Sequence, residues 1–170
     1  DIPLYDHNLI RMAAQELRIS SEDATQVDET ILGRFLTAYI VSTGNYTAFM
    51  SGDESGEPLS DLVFNRQSAI IRKLAEKGPG IFVGRCADYA LEDDPFAVSV
   101  FVKASIDERV KRIKRLYELN DSKAADLIQK TDKKRASYYN YYSSKKWGDA
   151  KSYDLCVDSG LVGIEGAIEV

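Results

Sequence analysis

Gly78-Pro79-Gly80-Ile81-Phe82-Val83-Gly84-Arg85 is the stretch on which the fold turns. Glycine is favoured just past a helix end and proline cannot continue the ladder, so Gly78-Pro79 stops the helix before it. That helix shows in Val63, Phe64, Ile70, Ile71, Leu74 and Ala75, which recur at helical spacing across residues 60–77. Ile81-Phe82-Val83 is then a continuous apolar run, the pattern of a parallel strand covered on both faces. A helix handing over to a buried strand is the repeating unit of α/β architecture.

Further units flank it. Residues 3–5, 97–102 and 153–157 read as short strands, with Val98, Val100, Phe101 and Val102 in the second. Leu9, Ile10, Ala13, Ala14 and Leu17 form one helical stripe that Asp6 is placed to cap. Ser20 followed by Asp23 suggests another helix start, Ser105 with Glu108 makes a capping box, and Ser122 opens a further helix. Residues 42–56, rich in Gly, Ser, Thr and Asn, read as a mobile excursion between helices. The alternation predicts a three-layer α/β fold, in which ligands gather beyond the carboxyl ends of the strands.

A chain of 170 residues with 44% hydrophobic residues suits one domain. With 22 basic against 27 acidic residues and a net charge of -5, nonspecific nucleic-acid binding is disfavoured, and any anion site must be local. Cys86 and Cys156 lie in apolar stretches without metal-ligand spacing, which predicts reduced thiols in a cytoplasmic protein. No apolar run approaches the ~20 residues of a membrane span, and no signal peptide opens the chain. Asp1 stands first and Ile2-Pro3-Leu4-Tyr5 already runs into a strand, so a beginning cut away is expected.

Two places could carry chemistry. Arg85 follows a buried strand directly, and a guanidinium there is aimed into the ligand crevice with a fork that matches phosphate. Asp88 follows three residues on, as a ligand contact or as the acid of a helix start. The other reading of Arg85 is a surface arginine paired with Asp88 or Glu92. The second place runs from Lys130 to Asp149: four of the six residues 130–135 are basic, and four tyrosines crowd 138–142. If helical, Arg135, Tyr138, Tyr139 and Tyr142 share one face, a phosphate clamp backed by aromatic surface or a solvated basic face over the core. His7, the only histidine, reads as a packing residue at a helix start rather than a general base.

Taken together, Ile2-Pro3-Leu4-Tyr5-Asp6, Gln67-Ser68-Ala69-Ile70-Ile71-Arg72, Gly84-Arg85-Cys86-Ala87-Asp88, Glu108-Arg109, Asp132-Lys133-Lys134-Arg135-Ala136-Ser137-Tyr138-Tyr139, Lys146-Trp147-Gly148 and Tyr153-Asp154-Leu155-Cys156-Val157 resemble the cytidylate-kinase-like family of the P-loop nucleoside monophosphate kinases. The resemblance covers nearly the whole chain. It implies one domain over residues 1–170 with a three-layer α/β/α P-loop kinase-like fold, a mainly parallel sheet, a helical acceptor-side insertion and a helical lid near residues 121–149. It further implies transfer of the γ-phosphoryl group of ATP, with Mg²⁺, to a nucleoside monophosphate acceptor, CMP or dCMP favoured, and no nucleic-acid or membrane partner.

Residue by residue, Arg85 would hold the acceptor's α-phosphate or stand beside it, with Asp88 and Asp6 on the acceptor side. Arg135 would bridge the two phosphate groups, Asp132 would orient Arg135, and Lys130 and Lys134 would neutralise phosphate from the lid; no residue is assigned to a metal. The sequence departs from the family in having Cys86 where an aspartate reads cytosine, His7 where a serine follows the strand, and lysines at Lys130, Lys133 and Lys134 where the family lid carries arginines. No Gly-x-x-x-x-Gly-Lys-Ser/Thr loop occurs. The resemblance places that loop upstream of Asp1, on a strand between those of residues 80–84 and 97–102, so the chain alone is expected to lack an ATP site and a complete sheet. The competing functions are a non-catalytic nucleotide-binding or interaction module and an RNA-contacting helix around residues 130–146.

Overall fold

A computed structural model describes residues 1–6, 8–17 and 59–170; the readings made for His7, for Ser20 to Asp23 and for residues 42–56 lie outside them. The chain packs as two compact units, residues 1–95 and 96–170.

In the first unit, the stripe Leu9, Ile10, Ala13 and Ala14 is wholly buried on helix α1 (Asn8–Leu17). It packs with helix α2 (Leu59–Ala75), whose inner side carries Val63, Phe64, Ile70 and Ile71. Gln67 and Ser68 are buried with them, because the helical period that carries the apolar stripe passes through their positions. After α2 the chain tightens through bonds from Lys77 N to Leu74 O and from Gly78 N to Ala75 O, 3.2 Å each, then enters β2. Strands β1 (Leu4–Tyr5) and β2 (Ile81–Phe82) pair in parallel, Leu4 opposite Ile81 and Tyr5 opposite Phe82. The rings of Tyr5 and Phe82 stack at 5.0 Å. A Cβ at Gly80 would stand 3.0 Å from Tyr5 Cε2, so a side chain there would press on this stacked pair. Helix α3 (Ala87–Ala90) closes the core through Ala87 and Ala90, packed with Leu9, Ala13, Ile70 and Ile71.

The second unit holds strand β3 (Val100–Lys103), helices α4 (Ile106–Tyr117) and α5 (Asp121–Tyr142), strand β4 (Leu155–Asp158) and helix α6 (Ser159–Glu169), the last broken at Gly163. Strands β3 and β4 are parallel, from Val100 opposite Leu155 to Lys103 opposite Asp158. A reciprocal clasp sets their register. Ser99 N and Oγ donate to Asp154 Oδ2 at 2.8 and 2.6 Å, while Asp154 N donates to Ser99 Oγ at 3.0 Å. Phe101 meets the Trp147 ring edge-on at 5.5 Å and stacks on Tyr153 at 4.8 Å; Tyr153 stacks on Tyr139 of α5 at 6.0 Å. Ser105 caps α4 by accepting from Glu108 N at 3.3 Å. Helix α5 begins one residue before Ser122, and its cap is Asn120, which accepts from Lys123 N at 2.9 Å. An amide oxygen just outside the first turn reaches that orphan N–H, which a hydroxyl inside the helix does not.

The α/β character and the parallel pairing agree with the sequence. Coverage of the strands on both faces does not: Ile81, Val83, Val98, Val100 and Val102 are about half exposed or more. The reason lies in the strand count. Among the described residues there are two separate two-stranded sheets, β1–β2 and β3–β4, and a strand so flanked keeps one free edge and an incompletely covered face. The observed architecture is therefore an α/β fold of small parallel sheets with flanking helices. No described helix is long and apolar enough to cross a membrane.

Candidate functional site

In the first unit the candidate site lies at the carboxyl edge that β1 and β2 form together. Val83 N donates to Tyr5 O at 2.8 Å, so Asp6 and Gly84-Arg85, next in line on the two strands, emerge at one carboxyl edge. Leu9 N donates to Asp6 O at 3.1 Å, which fixes the Asp6 backbone at the entry to α1.

The chain then turns through three successive left-handed residues: Gly84 at φ 71, Arg85 at φ 60 and Cys86 at φ 52. Glycine adopts this region without penalty, but each side-chain-bearing residue gives up roughly 1–2 kcal/mol there. The turn is closed by Ala87 N donating to Gly84 O at 3.1 Å and is held by the burial of Cys86, Ala87 and Ala90. Strain kept by tight packing is characteristic of ligand-binding turns. Arg72 Nε adds a bond to Ala90 O at 3.0 Å, tying α3 to α2.

Arg85 and Asp88 are half-buried on either side of Cys86, which is buried. Burial first, then the Asp88 carboxylate, pushes the Cys86 thiol up to about 12, with the Arg85 guanidinium pulling the other way. Both charges therefore lie within electrostatic reach of one sulfur. The Cys86 side chain itself is buried in the core. The first unit thus brings Asp6, Arg85 and Asp88 to one end of its sheet.

In the second unit, Lys130, Asp132, Lys134 and Arg135 all lie on α5, and Arg135, Tyr138, Tyr139 and Tyr142 share a face as the spacing predicted. Tyr138 and Tyr142 meet edge-to-face at 4.9 Å, and Tyr139 is buried. At about 100° per residue, Lys134 lies roughly 100° and Lys130 roughly 140° around the helix from Arg135. The two lysines thus lie on a different side of α5 from the arginine, and all three are exposed.

Asp132 is engaged by Arg109 of α4, not by Arg135: Nη1 donates to Oδ2 and Nη2 to Oδ1, each at 2.7 Å. The Asp132 bond holds the Arg109 pKa above its ordinary value. Arg109 and the Ser99–Asp154 clasp escaped the sequence reading. The signal for Arg109 was the Glu108-Arg109 pair at the start of a helix; for Ser99 and Asp154 there was none, since the partners lie far apart in the chain.

Residues 1–161 match the cytidylate kinase-like family, and the chain belongs to that family. It is 27% identical to the cytidylate kinase of Methanothrix thermoacetophila over 117 residues, which span 69% of this chain and 64% of that protein's length. It is also similar to the crystal structure of an uncharacterized protein from Eubacterium ventriosum, with a TM-score of 0.57 and 28% identity, covering 92% of this chain and 88% of the other.

Proposed function

We propose that this chain supplies the acceptor-side and lid residues of a cytoplasmic nucleotide kinase. The enzyme moves the γ-phosphoryl group of ATP to a nucleoside monophosphate, with CMP or dCMP as favoured acceptor. The observation that carries this reading is the left-handed turn Gly84-Arg85-Cys86 at the carboxyl end of a parallel strand. It spends conformational energy to hold a guanidinium at the edge where α/β folds bind ligands.

Phosphoryl transfer asks a protein for positioning and charge neutralisation more than for a covalent nucleophile. In this reading the planar fork of Arg85 takes two oxygens of the acceptor phosphate, and Asp88 and Asp6 make polar contacts on the acceptor side. Arg135 meets the transferring group as charge shifts between the phosphates. Lys130 and Lys134 add point charges that attract phosphate without fixing its orientation. ATP brings the donor phosphates. Among the described residues no group of three or more His, Cys, Asp or Glu is placed to hold a metal, so no step is assigned to Mg²⁺. The reading keeps a single domain with a three-layer P-loop kinase fold and a lid near residues 121–149.

The test is to incubate the intact protein with ATP and CMP, dCMP, UMP, AMP or GMP, and to titrate the same acceptors by calorimetry into the parent and Arg85→Ala. Transfer to a cytidine monophosphate is expected, with Arg85→Ala weakening its binding by about 1.5–3 kcal/mol, the range for hydrogen bonds to charged groups. Arg135→Ala should lower kcat more than it raises KM. Binding of CMP without transfer to any acceptor would leave a non-catalytic nucleotide-binding module. Unchanged affinity in Arg85→Ala for every acceptor would remove Arg85 from the site.

A further inference from the structure

The carboxylate of Asp132 is held by a single guanidinium, Arg109, on the neighbouring helix, through two parallel bonds of 2.7 Å. Both side chains are largely shielded, at 33% and 25% exposed. A planar fork meeting a planar carboxylate fixes rotation as well as distance, which a lysine ammonium cannot do. A second pair, Lys114 with Asp121, joins the other ends of the same two helices, so α4 and α5 run antiparallel along a seam.

The buried residues Ala124, Ile128 and Tyr139 mark the side of α5 that faces inward. At about 100° per residue, Arg135 falls within that stripe, between Ala124 and Ile128 in angle. It is nevertheless exposed. The seam explains the exception: α4 begins at Ile106, only three residues before Arg109, so the covering helix runs out where Arg135 emerges on α5. Arg135 also sits three residues from Asp132, the spacing at which an acid and a base on one helix ordinarily pair. With both Asp132 oxygens occupied by Arg109, that local pairing is replaced by one between helices.

We propose that Arg109 is a positioning residue. Through Asp132 it sets the rotation of α5 and draws the acid away from Arg135, so that Arg135 projects from the end of the seam with its charge available to an anionic group. The proposal rests on the phosphoryl-transfer reading for its purpose, and its test separates the two.

Arg109→Gln, Arg109→Lys, Arg135→Gln and the double variant Arg109→Gln/Arg135→Gln are compared with the parent. Two readouts are used: kcat and KM for transfer from ATP to CMP, and calorimetric titration with inorganic pyrophosphate, which needs no reaction. Arg109→Gln should lower kcat about tenfold while moving KM less than about threefold, the pattern of an interaction felt mainly in the transition state. Arg109→Lys should recover the melting temperature but not kcat, because a point charge restores attraction without the fork. The double variant should be no worse than Arg135→Gln alone, in kcat and in pyrophosphate affinity, as residues acting as one unit require. Additive losses, or a kcat that follows melting temperature across the Arg109 variants, would overturn the positioning role. A parent that shows the non-additive pyrophosphate pattern but phosphorylates no nucleotide would sink the kinase reading and keep the role. A parent that neither binds pyrophosphate nor transfers phosphate overturns both.

Discussion

Arg72 Nε donates to the carbonyl oxygen of Ala90 at 3.0 Å. Ala90 ends α3, and the last carbonyls of a helix have no partner within it. Arg72 therefore finishes the short helix that follows Arg85, and the turn carrying Arg85 is held from both sides, by β2 before it and by α2 behind it.

Replacing Arg72 by Leu keeps the apolar stem and removes the donor. The first unit should lose about 1 kcal/mol of stability, typical of one hydrogen bond. CMP affinity should fall as well, by less than in Arg85→Ala, because the turn loses a support rather than its ligand group. Thermal unfolding and calorimetry on the same samples check this. A stability loss with unchanged CMP affinity would show that α3 does not hold Arg85 for the acceptor.

Cys86 gives a prediction at high pH. Its thiol is pushed from an ordinary 9.0 up to about 12, so the fold favours the protonated form. The stabilisation linked to that shift is fully present below pH 9 and is lost as pH rises from 9 towards 12, with a slope of at most about 1.4 kcal/mol per pH unit. Between pH 9 and 11 the stability of the parent should fall more steeply than that of Cys86→Ala, as read by denaturant unfolding at each pH. Alkylation by iodoacetamide at pH 8 should be slow at Cys86 until the protein is unfolded. Equal slopes in the two proteins would mean that Cys86 is not held in the core.

Asp154 gives the opposite sign. The Ser99 hydroxyl and backbone N–H hold its carboxyl below the ordinary 3.8. The stability linked to this lowered value is present above that ordinary value and is lost as pH falls through the folded one. Asp154→Asn should be less stable than the parent at pH 7, and the gap should narrow below pH 4. Thermal melts followed by far-ultraviolet circular dichroism at pH 7, 4 and 3 test it. A gap that stays constant down to pH 3 would remove the clasp as an ionised contact.

How much of this was legible in the sequence depends on the range of the interaction. The helices α1, α2 and α4 follow from local periodicity, and Ser105 from a cap three residues from its partner. Asp6 and Arg85 were placed at strand ends by the apolar runs before them, and the parallel register then put those ends side by side. Contacts between distant segments were hidden. Asp132 offered a local choice, Arg135 at three residues, and the fold took Arg109 at a separation of 23. Spacing along one helix ranks the near partner first, while the choice was made by which helix lay alongside. The left-handed conformation at Arg85 and Cys86 was equally silent, because neither residue type advertises positive φ; only the glycine before them does.

The ring stack along the second unit has an optical consequence. Trp147 is the single tryptophan of the chain. It leans edge-on against Phe101, Phe101 lies on Tyr153, and Tyr153 lies on Tyr139, one helical turn from Arg135. Trp147 N is pinned to Asn140 Oδ1 of the same helix at 2.8 Å. On the proposed reading, an anion drawn to Arg135 is expected to alter the surroundings of the lone indole through these four rings. The indole would then be a built-in fluorophore: a change in its emission on titration with pyrophosphate is the expected outcome, and an unchanged spectrum would uncouple Trp147 from Arg135.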